Sequence, residues 1–334
     1  MTTIAVEHET LSTAQALNRA LRDALAEDPT VLVFGEDVGP LGGVFRVTDG
    51  LTAEFGEDRC FDTPLAEAGI AGFAVGLAMN GMRPVMEMQF DAFAYPAFEQ
   101  VVSHIAKMRN RTRGRVELPL VMRVPYAGGI GGVEHHCDSS EAYFAHTPGL
   151  HVVAPSNPAD AYSLLRDAIA SPDPVVFLEP KKLYWAKGDV ALRSGREPGI
   201  GTAVVRRQGT DATLIAYGSS VPVAIEAAEV AARDGRSLQV VDLRSLVPFD
   251  DATVCGAVES TGRAVVVAEA AGFASVASEI AARVGERCFH SLSAPVRRVT
   301  GFDIPYPPPK LEHLQLPSVD RILDAVDDLQ WEDA

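Results

Sequence analysis

The sequence has 334 residues, of which 47% are hydrophobic and 22% charged, a composition typical of a globular chain long enough for about two domains. The formal net charge of -16 at pH 7 argues against nucleic-acid binding and fits either a soluble surface or a docking face for a basic partner. The four cysteines form no C-x-x-C pair, and no signal peptide or membrane-length apolar run is visible. We therefore expect a cytoplasmic protein without disulfides, a zinc site or a membrane span.

The first half of the chain alternates between helices and short apolar strands. Ser12 is a candidate cap for a helix whose apolar residues recur at helical spacing. Strands are predicted at residues 31–34, 84–88 and 120–124, a buried glycine-rich helix at 68–82 and another helix at 98–109. Continuous apolar strands between helices indicate a parallel sheet that is covered on both faces.

The second half repeats this alternation with its own set of elements. Strands are predicted at 213–217, 238–241 and 264–268, helices at 221–234, 250–260 and 274–284, and a closing helix near 319–326. A segment rich in glycine and charge separates the halves. The predicted class is therefore α/β, with two doubly wound open-sheet domains at residues 1–187 and 202–334 joined by a linker at 188–201.

Common nucleotide and nucleophile motifs are absent from the sequence. The glycine run at 128–132 has the wrong spacing for a G-x-G-x-x-G turn, no Gly-Lys pair of a P-loop occurs, and no G-x-S-x-G elbow is present. Dinucleotide-binding, P-loop and serine-nucleophile enzymes are therefore disfavoured.

A carboxylate enters an apolar, glycine-rich helix near residue 67. Thr63 can cap this helix, Pro64 suits its first position, and Glu67 follows in the first turn. The residues alone leave two interpretations of Glu67 open. It is either a solvated acid that the helix dipole favours, or a partly buried functional carboxylate with a raised pKa.

Two further segments follow predicted strands. Residues 87–98 crowd aromatic side chains after a strand, where they either pack in the core or stack on a bound heterocycle. Residues 126–136 carry four glycines, whose backbone can approach a ligand closely, and end in His135 and His136. A proton donor is a better interpretation of this histidine than a metal ligand, because neighbouring side chains point to different sides.

Together these segments resemble the beta subunits of thiamine-diphosphate-dependent 2-oxoacid dehydrogenases, the decarboxylating components of the pyruvate and branched-chain complexes. The resemblance covers nearly the whole chain, and it lies in the order and spacing of several short stretches. These are residues 33–39, 63–67, 146–150, 179–181, 241–244 and 299–303. It implies a thiamine-diphosphate pyrimidine-binding domain followed by a transketolase C-terminal-like domain, the latter for subunit pairing and acyltransferase docking.

The resemblance also implies roles for individual residues. Glu67 matches the glutamate that hydrogen-bonds the cofactor's aminopyrimidine, and His136 matches the histidine that donates a proton during acyl transfer to the lipoyl group. Phe93 matches the aromatic residue that packs on the pyrimidine, and Leu65 and Gln89 line the same pocket. A structural potassium ion of the family would map to Leu120, Ala168, Ile169, Ser171 and Asp173.

The implied reaction is decarboxylation of a 2-oxoacid with transfer of the acyl group to the lipoyl group of an acyltransferase component. Enzymes of this superfamily hold magnesium and diphosphate with a Gly-Asp-Gly segment followed by an asparagine, and this sequence has none. We therefore expect an alpha subunit to hold the magnesium and to share the cofactor in an α2β2 heterotetramer. A single-chain enzyme of the transketolase type would need that motif and a longer chain.

The substrate is predicted from a few residues only. Residues 139–146 and 182–184 are similar to branched-chain members of the family, but Ser140 stands where those usually have proline, and Cys137-Asp138 where they have Ser-Gln. A branched-chain 2-oxoacid is the expected substrate, with pyruvate or acetoin as alternatives. A non-catalytic docking subunit is a third possibility, against which the presence of Glu67, Phe93 and His136 argues.

Overall fold

The computed structural model describes residues 7–192 and 198–329. A seven-stranded sheet organises the first part of the chain. All its neighbouring strands are parallel except the first pair in the order given next, which lies at one edge. In spatial order its strands are β12 (Ser245–Val247), β6 (His151–Val153), β7 (Val175–Pro180), β5 (Val121–Tyr126), β4 (Arg83–Glu87), β2 (Val31–Gly35) and β3 (Cys60–Asp62).

A five-stranded sheet organises the second part. Its order is β14 (Arg297–Gly301), β13 (Ala264–Ala271), β10 (Ala212–Ala216), β11 (Leu238–Asp242) and β9 (Val204–Arg207), and only β9 is antiparallel to its neighbour. A separate antiparallel pair joins β1 (Glu7–Ser12) to β8 (Lys187–Leu192). The predicted two-sheet α/β architecture is confirmed, with mixed rather than purely parallel sheets.

Helices connect these strands and cover the sheets. The α-helices are α1 (Thr13–Glu27), α2 (Leu51–Phe55), α3 (Glu67–Met79), α4 (Phe98–Gln100), α5 (Met108–Arg111), α6 (Glu141–Ala145), α7 (Pro158–Ala170), α8 (Ser220–Arg233), α9 (Asp251–Thr261), α10 (Val276–Arg287), α11 (Glu312–Gln315) and α12 (Val319–Asp327). Within the residues that the structure describes, no helix is long and apolar enough to cross a membrane.

Local sequence accounts for some helix boundaries and not for others. Ser12 caps α1 in a capping box with Gln15, as its position predicts. The helical stretch expected at 98–109 is present, but α4 passes into a five-residue π-helix, Val101–Ile105, before α5 begins. Gly149 lies against this turn so closely that a Cβ there would be 1.9 Å from the Ala106 carbonyl oxygen.

The expected linker does not begin where the sequence suggests. Residues 188–192 belong to β8, which pairs with β1, and residues 193–197 lie outside the described part of the chain. The second half also returns to the first sheet, since β12 adds an edge strand beside β6. The two halves therefore share a sheet edge as well as a covalent connection.

One hydrophobic cluster crosses the boundary between the halves, joining Met122 and Leu178 of the first sheet to Ile215 and Val266 of the second. Buried polar groups pair across the same boundary. The pairs are Ser156 Oγ to Asp242 Oδ2 at 2.6 Å, Arg244 Nε to Asp160 Oδ1 at 2.9 Å and Tyr217 Oη to Glu141 Oε1 at 2.7 Å. Because a buried polar group without a partner is costly, these pairs fix how the two sheets meet.

Glu141 gives this boundary a pH dependence that can be measured. Burial raises the pKa of Glu141 to about 7, so its contribution to stability is present below pH 4.5 and is lost as the pH rises through about 7. Glu141→Gln keeps an oxygen that accepts the Tyr217 hydroxyl and cannot ionise. When the pH is raised from 5 to 8, we expect the free energy of unfolding of the assembled wild-type protein to decrease by up to about 3 kcal/mol, which lowers its urea midpoint. The decrease should be smaller in the variant.

The exposed Glu226 on α8 provides the matched control. Glu226→Gln should follow the wild-type pH dependence. An equal pH dependence in wild type and Glu141→Gln would show that Glu141 does not titrate in this range.

Candidate active site

Glu67 lies at the carboxyl end of the first sheet, where β3 passes into α3. The Thr63 amide still donates to the Gly35 carbonyl at 2.9 Å, so strand-like backbone continues past β3. The predicted cap at Thr63 and first helical position at Pro64 are therefore wrong. The helix begins at Glu67 itself, and the side chain of its N-cap residue, Ala66, makes no capping bond.

A second carboxylate stands beside Glu67. Glu36 directly follows β2, is buried, and accepts a hydrogen bond from the Ala66 amide. Burial and the negative charge of Glu67 raise the pKa of Glu36. Gln89, which follows β4, donates to the Asp37 carboxylate at 2.9 Å and so joins the ends of two neighbouring strands.

Phe93 and His136 come together although 43 residues separate them. Their ring centroids are 5.4 Å apart, and the Phe90 ring touches both at 5.4 Å and 4.4 Å. Phe93 belongs to a 3-10 helix, Ala92–Ala97, that packs against α3. The structure thus places the aromatic pair next to the helix that starts with Glu67.

The environment of His136 keeps its ring mostly neutral near pH 7. Burial, and then the neighbouring His135 and Lys181, lower the pKa of His136. Its Nδ1 atom is buried and has no hydrogen-bond partner among residues 7–192 and 198–329. A neutral imidazole can take up a proton at its free nitrogen, and the imidazolium that forms can give that proton away, so this ring can serve as a base or an acid near neutral pH.

A buried ion pair lies behind the aromatic cluster. Lys181 Nζ is 3.8 Å from Asp91 Oδ1 and 5.7 Å from the Phe90 ring centroid, and both charged side chains are fully buried. Burial raises the pKa of Asp91 to about 8 and lowers that of Lys181. Phe90 therefore contacts both Lys181 and His136.

The sequence interpretation missed Glu36, Asp91 and Lys181 as parts of the site. The position of Glu36 directly after a predicted strand was a usable signal, because ligands bind at the carboxyl ends of parallel strands. No sequence signal joins Asp91 to a lysine 90 positions away. Asp91 follows β4 and Lys181 follows β7, so their contact depends on the order β7–β5–β4 in the sheet.

An apolar cleft opens beside the start of α3. It has a volume of about 350 Å³, and its walls include Phe61, Thr63, Ile70 and Phe73. Leu65 lies next to it in sequence and is 81% exposed. The face of α3 that carries Gly69, Gly72 and Gly76 is also exposed, which differs from the expected close packing of a buried helix.

The residues proposed to hold potassium lie together but are already hydrogen-bonded. Arg83 Nη1 donates to the carbonyl oxygens of Ile169 at 2.8 Å and Ser171 at 3.3 Å, and the carbonyls of Leu120 and Ala168 accept from the Val175 and Ser171 amides. Asp173 pairs with Arg109 at 2.6 Å. A guanidinium that donates to two of the expected ligands repels a second cation. These residues therefore do not fit potassium well. Potassium binding stays a prediction from the resemblance, which these contacts do not support.

Two family models match the chain. The transketolase pyrimidine binding domain matches residues 9–186, and the transketolase C-terminal domain matches residues 201–322. A solved structure described as "Split gene transketolase, inactive beta4 tetramer" superposes with a TM-score of 0.78, covers 96% of this chain and 98% of that one, and is 23% identical. At this identity it shows the fold alone. The class is thus a two-domain, transketolase-like protein.

Curated relatives define the family more closely. The chain is 58% identical to the pyruvate dehydrogenase E1 component subunit beta of Leifsonia xyli, over 96% of this chain and 94% of the relative. It is 56% identical to the 3-methyl-2-oxobutanoate dehydrogenase subunit beta of Mycobacterium tuberculosis, over 96% and 92%. The chain therefore belongs to the family of E1 beta subunits of thiamine-diphosphate-dependent 2-oxoacid dehydrogenases.

The residues around the cleft fit the pyrimidine half of thiamine diphosphate. Glu67 is half-buried and makes no hydrogen bond or ion pair within the described parts of the chain, so its carboxylate is available to a ligand. The apolar cleft and the Phe93 ring suit a flat heterocycle. Among the described residues, no cluster of three or more His, Cys, Asp or Glu side chains is arranged to hold a metal ion.

Proposed function

We propose that this chain supplies the pyrimidine side of an active site shared with an alpha subunit. The assembled enzyme would decarboxylate a branched-chain 2-oxoacid oxidatively and transfer the acyl group to the lipoyl group of an acyltransferase component. The observation that supports the proposal is an unpaired Glu67 at the start of α3, beside the cleft, together with the Phe93–His136 pair, whose Phe93 lies on a 3-10 helix that packs against α3.

Each of these side chains has a separate task. When bound, thiamine diphosphate supplies the carbanion chemistry that releases the carboxylate as carbon dioxide. Glu67 accepts a hydrogen bond from the aminopyrimidine ring and holds a proton between its carboxylate and that ring. Phe93 packs on the ring, and Leu65 and Gln89 border it. His136 lies beside Phe93, where its ring, once protonated, can donate a proton to a lipoyl sulfur.

The other half of the site is proposed to come from the alpha subunit. The sequence has no Gly-Asp-Gly segment for diphosphate and magnesium, so a second chain has to provide these ligands. The expected assembly contains two alpha and two beta chains. The known partners of this family, an alpha subunit and a lipoyl-bearing acyltransferase, are the partners we propose for this chain.

The exposed face of α3 supports a partner chain at this position. Apart from the nearby backbone of α3 itself, no atom of the described residues lies within 4 Å of where a Cβ on Gly72 or Gly76 would be. Glycine in a helix costs roughly 0.5–1 kcal/mol relative to alanine, and no contact within the chain explains that cost here. Phe73 and Met79 on the same helix are 47% and 54% exposed. A closely packed backbone from another subunit would explain both features.

Gly76→Leu tests this interface. A leucine should stabilise α3 in the isolated chain, because it is a better helix former by roughly 0.5–1 kcal/mol, and it should weaken association with the alpha subunit by steric overlap. The measurement is the yield of heterotetramer on co-expression, together with the melting temperature of the beta chain. Gly256→Leu, on an exposed position of α9 with equally open space, is the control and should assemble normally. Normal assembly of Gly76→Leu would exclude this face from the interface.

Glu67→Gln separates the enzyme from a non-catalytic docking subunit. Loss of the carboxylate should reduce decarboxylation by about 10²–10⁴-fold, since this is the usual contribution of a positioned acid or base. The rate is measured with the assembled protein, thiamine diphosphate and magnesium. Glu57→Gln, at an exposed position before β3, should keep full activity. An active Glu67→Gln enzyme would remove Glu67 from the mechanism.

The choice of acid rests on weaker support than the reaction type. Residues 139–146 and 182–184 favour a branched-chain acid by resemblance, whereas the relative at 58% identity is named for pyruvate. Glu141 and Tyr184 from these stretches are buried and bond to Tyr217 and Glu179. They therefore shape the scaffold rather than touch a substrate.

A substrate comparison decides between these two acids. The chain is co-expressed with its alpha partner, and kcat/KM is measured for 3-methyl-2-oxobutanoate and for pyruvate. We expect a preference for the branched acid of about 10-fold or more, the discrimination that a hydrophobic pocket gives for added methyl groups. A preference for pyruvate would retain the mechanism and change the substrate, and turnover of neither acid by a cofactor-loaded tetramer would contradict the proposed function.

A further inference from the structure

The glycine-rich loop before His136 is held by carboxylates from the second half of the chain. The Gly129 and Gly131 amides both donate to Glu312 Oε2 at 3.1 Å, and the Tyr306 hydroxyl donates to the same oxygen at 3.0 Å. The preceding amide, of Gly128, donates to the buried Glu269 carboxylate. The loop amides that were expected to approach a ligand therefore approach side chains of the same protein.

The contact is too close to accept side chains in the loop. A Cβ on Gly128 would be 1.9 Å from the Tyr306 hydroxyl oxygen, and one on Gly129 would be 2.7 Å from Lys182 Cδ. Gly129 and Gly131 also have φ values of +82° and +68°, a conformation that glycine adopts without strain. The loop is thus shaped to receive Tyr306 and Glu312.

The other end of the loop is tied to His136. The loop continues into a 3-10 helix, Glu134–His136, in which the His136 amide donates to the Val133 carbonyl at 2.9 Å. A Cβ on Gly132 would be 2.9 Å from the sulfur of the buried Cys137. Movement of residues 128–132 would therefore move the His136 ring relative to Phe93.

The arm that carries Glu312 is itself anchored to the second sheet, because Arg321 Nη2 donates to the Thr300 carbonyl of β14. Gln315 Nε2 donates to the Phe302 carbonyl at 3.1 Å, and Arg321 Nη1 donates to the Gln315 and Leu316 carbonyls at 3.3 Å and 3.2 Å. Residues 302–321 thus form a strap that starts at the end of β14 and reaches the loop in the first domain. A carboxylate bonded to two amides and a hydroxyl is a strong, charge-assisted acceptor.

We propose that Glu312 and Tyr306 are positioning residues that hold the glycine-rich loop and thereby place His136 for acyl transfer. This role rests on the proposed function. It assigns the second domain a task inside the active site of its own chain, in addition to pairing subunits. Because Glu312 acts on the loop and not on the cofactor, decarboxylation should depend on it little and acyl transfer strongly.

The test uses the heterotetramer with wild-type beta chain, Glu312→Ala, Glu312→Gln or Tyr306→Phe. Hydrogen exchange of the Gly129 and Gly131 amides should be about tenfold faster in Glu312→Ala, since a lost hydrogen bond of this kind changes an equilibrium by about that factor. Acylation of a lipoyl domain should fall at least about tenfold, while decarboxylation with ferricyanide as electron acceptor stays within twofold. Glu312→Gln keeps an acceptor oxygen and should recover part of both effects, and Tyr306→Phe should give a smaller change.

Glu229→Ala is the matched control, because Glu229 is exposed on α8 and has no ion pair within the described residues. It should leave exchange and both activities unchanged. Unchanged exchange in Glu312→Ala, or an equal loss of both activities, would overturn the positioning role. Failure of the proposed function would be visible separately, as absence of decarboxylation in the wild-type tetramer, and the exchange measurement would still report whether Glu312 holds the loop.

Discussion

The buried boundary between the two sheets is the constraint on which the site depends. Several of its polar groups have partners across the boundary, as Glu141 has with Tyr217 and Asp160 with Arg244. Such groups would each cost about 1–3 kcal/mol if left unpaired, and more if charged. The two halves therefore cannot shift relative to one another without losing several contacts together. The edge strand β12 reinforces this arrangement.

That rigidity explains how one site can use residues from distant parts of the chain. Glu67 and Gln89 are placed by the carboxyl ends of the first sheet, where parallel strands bring their loops together. His136 depends on a loop that the second domain holds through Glu269 and Glu312. The part of the proposed site that lies in the first domain is thus held in place by contacts within its own chain.

The site remains open where a partner is expected. The start of α3 combines an unpaired carboxylate, an apolar cleft and a glycine-lined helix face that nothing in the described chain covers. These features are expected of one half of a shared cofactor site. The carboxylate acceptor and the aromatic ring are present, whereas the sequence lacks the segment that would bind the diphosphate. The fold and the chemistry therefore support the proposal that this chain works as one part of an assembly.

The sequence by itself determined the family, the two α/β halves and the approximate bounds of many of the elements that it predicted, because helix caps and apolar periodicity act over a few residues, as Ser12 and Gln15 illustrate. It also marked Glu67, Phe93 and His136, whose roles are still predictions, through short stretches of resemblance. Only the tertiary structure decided that α3 begins at Glu67, that Lys181 pairs with Asp91, and that Glu312 bonds the glycine loop. These contacts join residues up to 183 positions apart, and strand order and domain packing, which no local pattern encodes, bring them together.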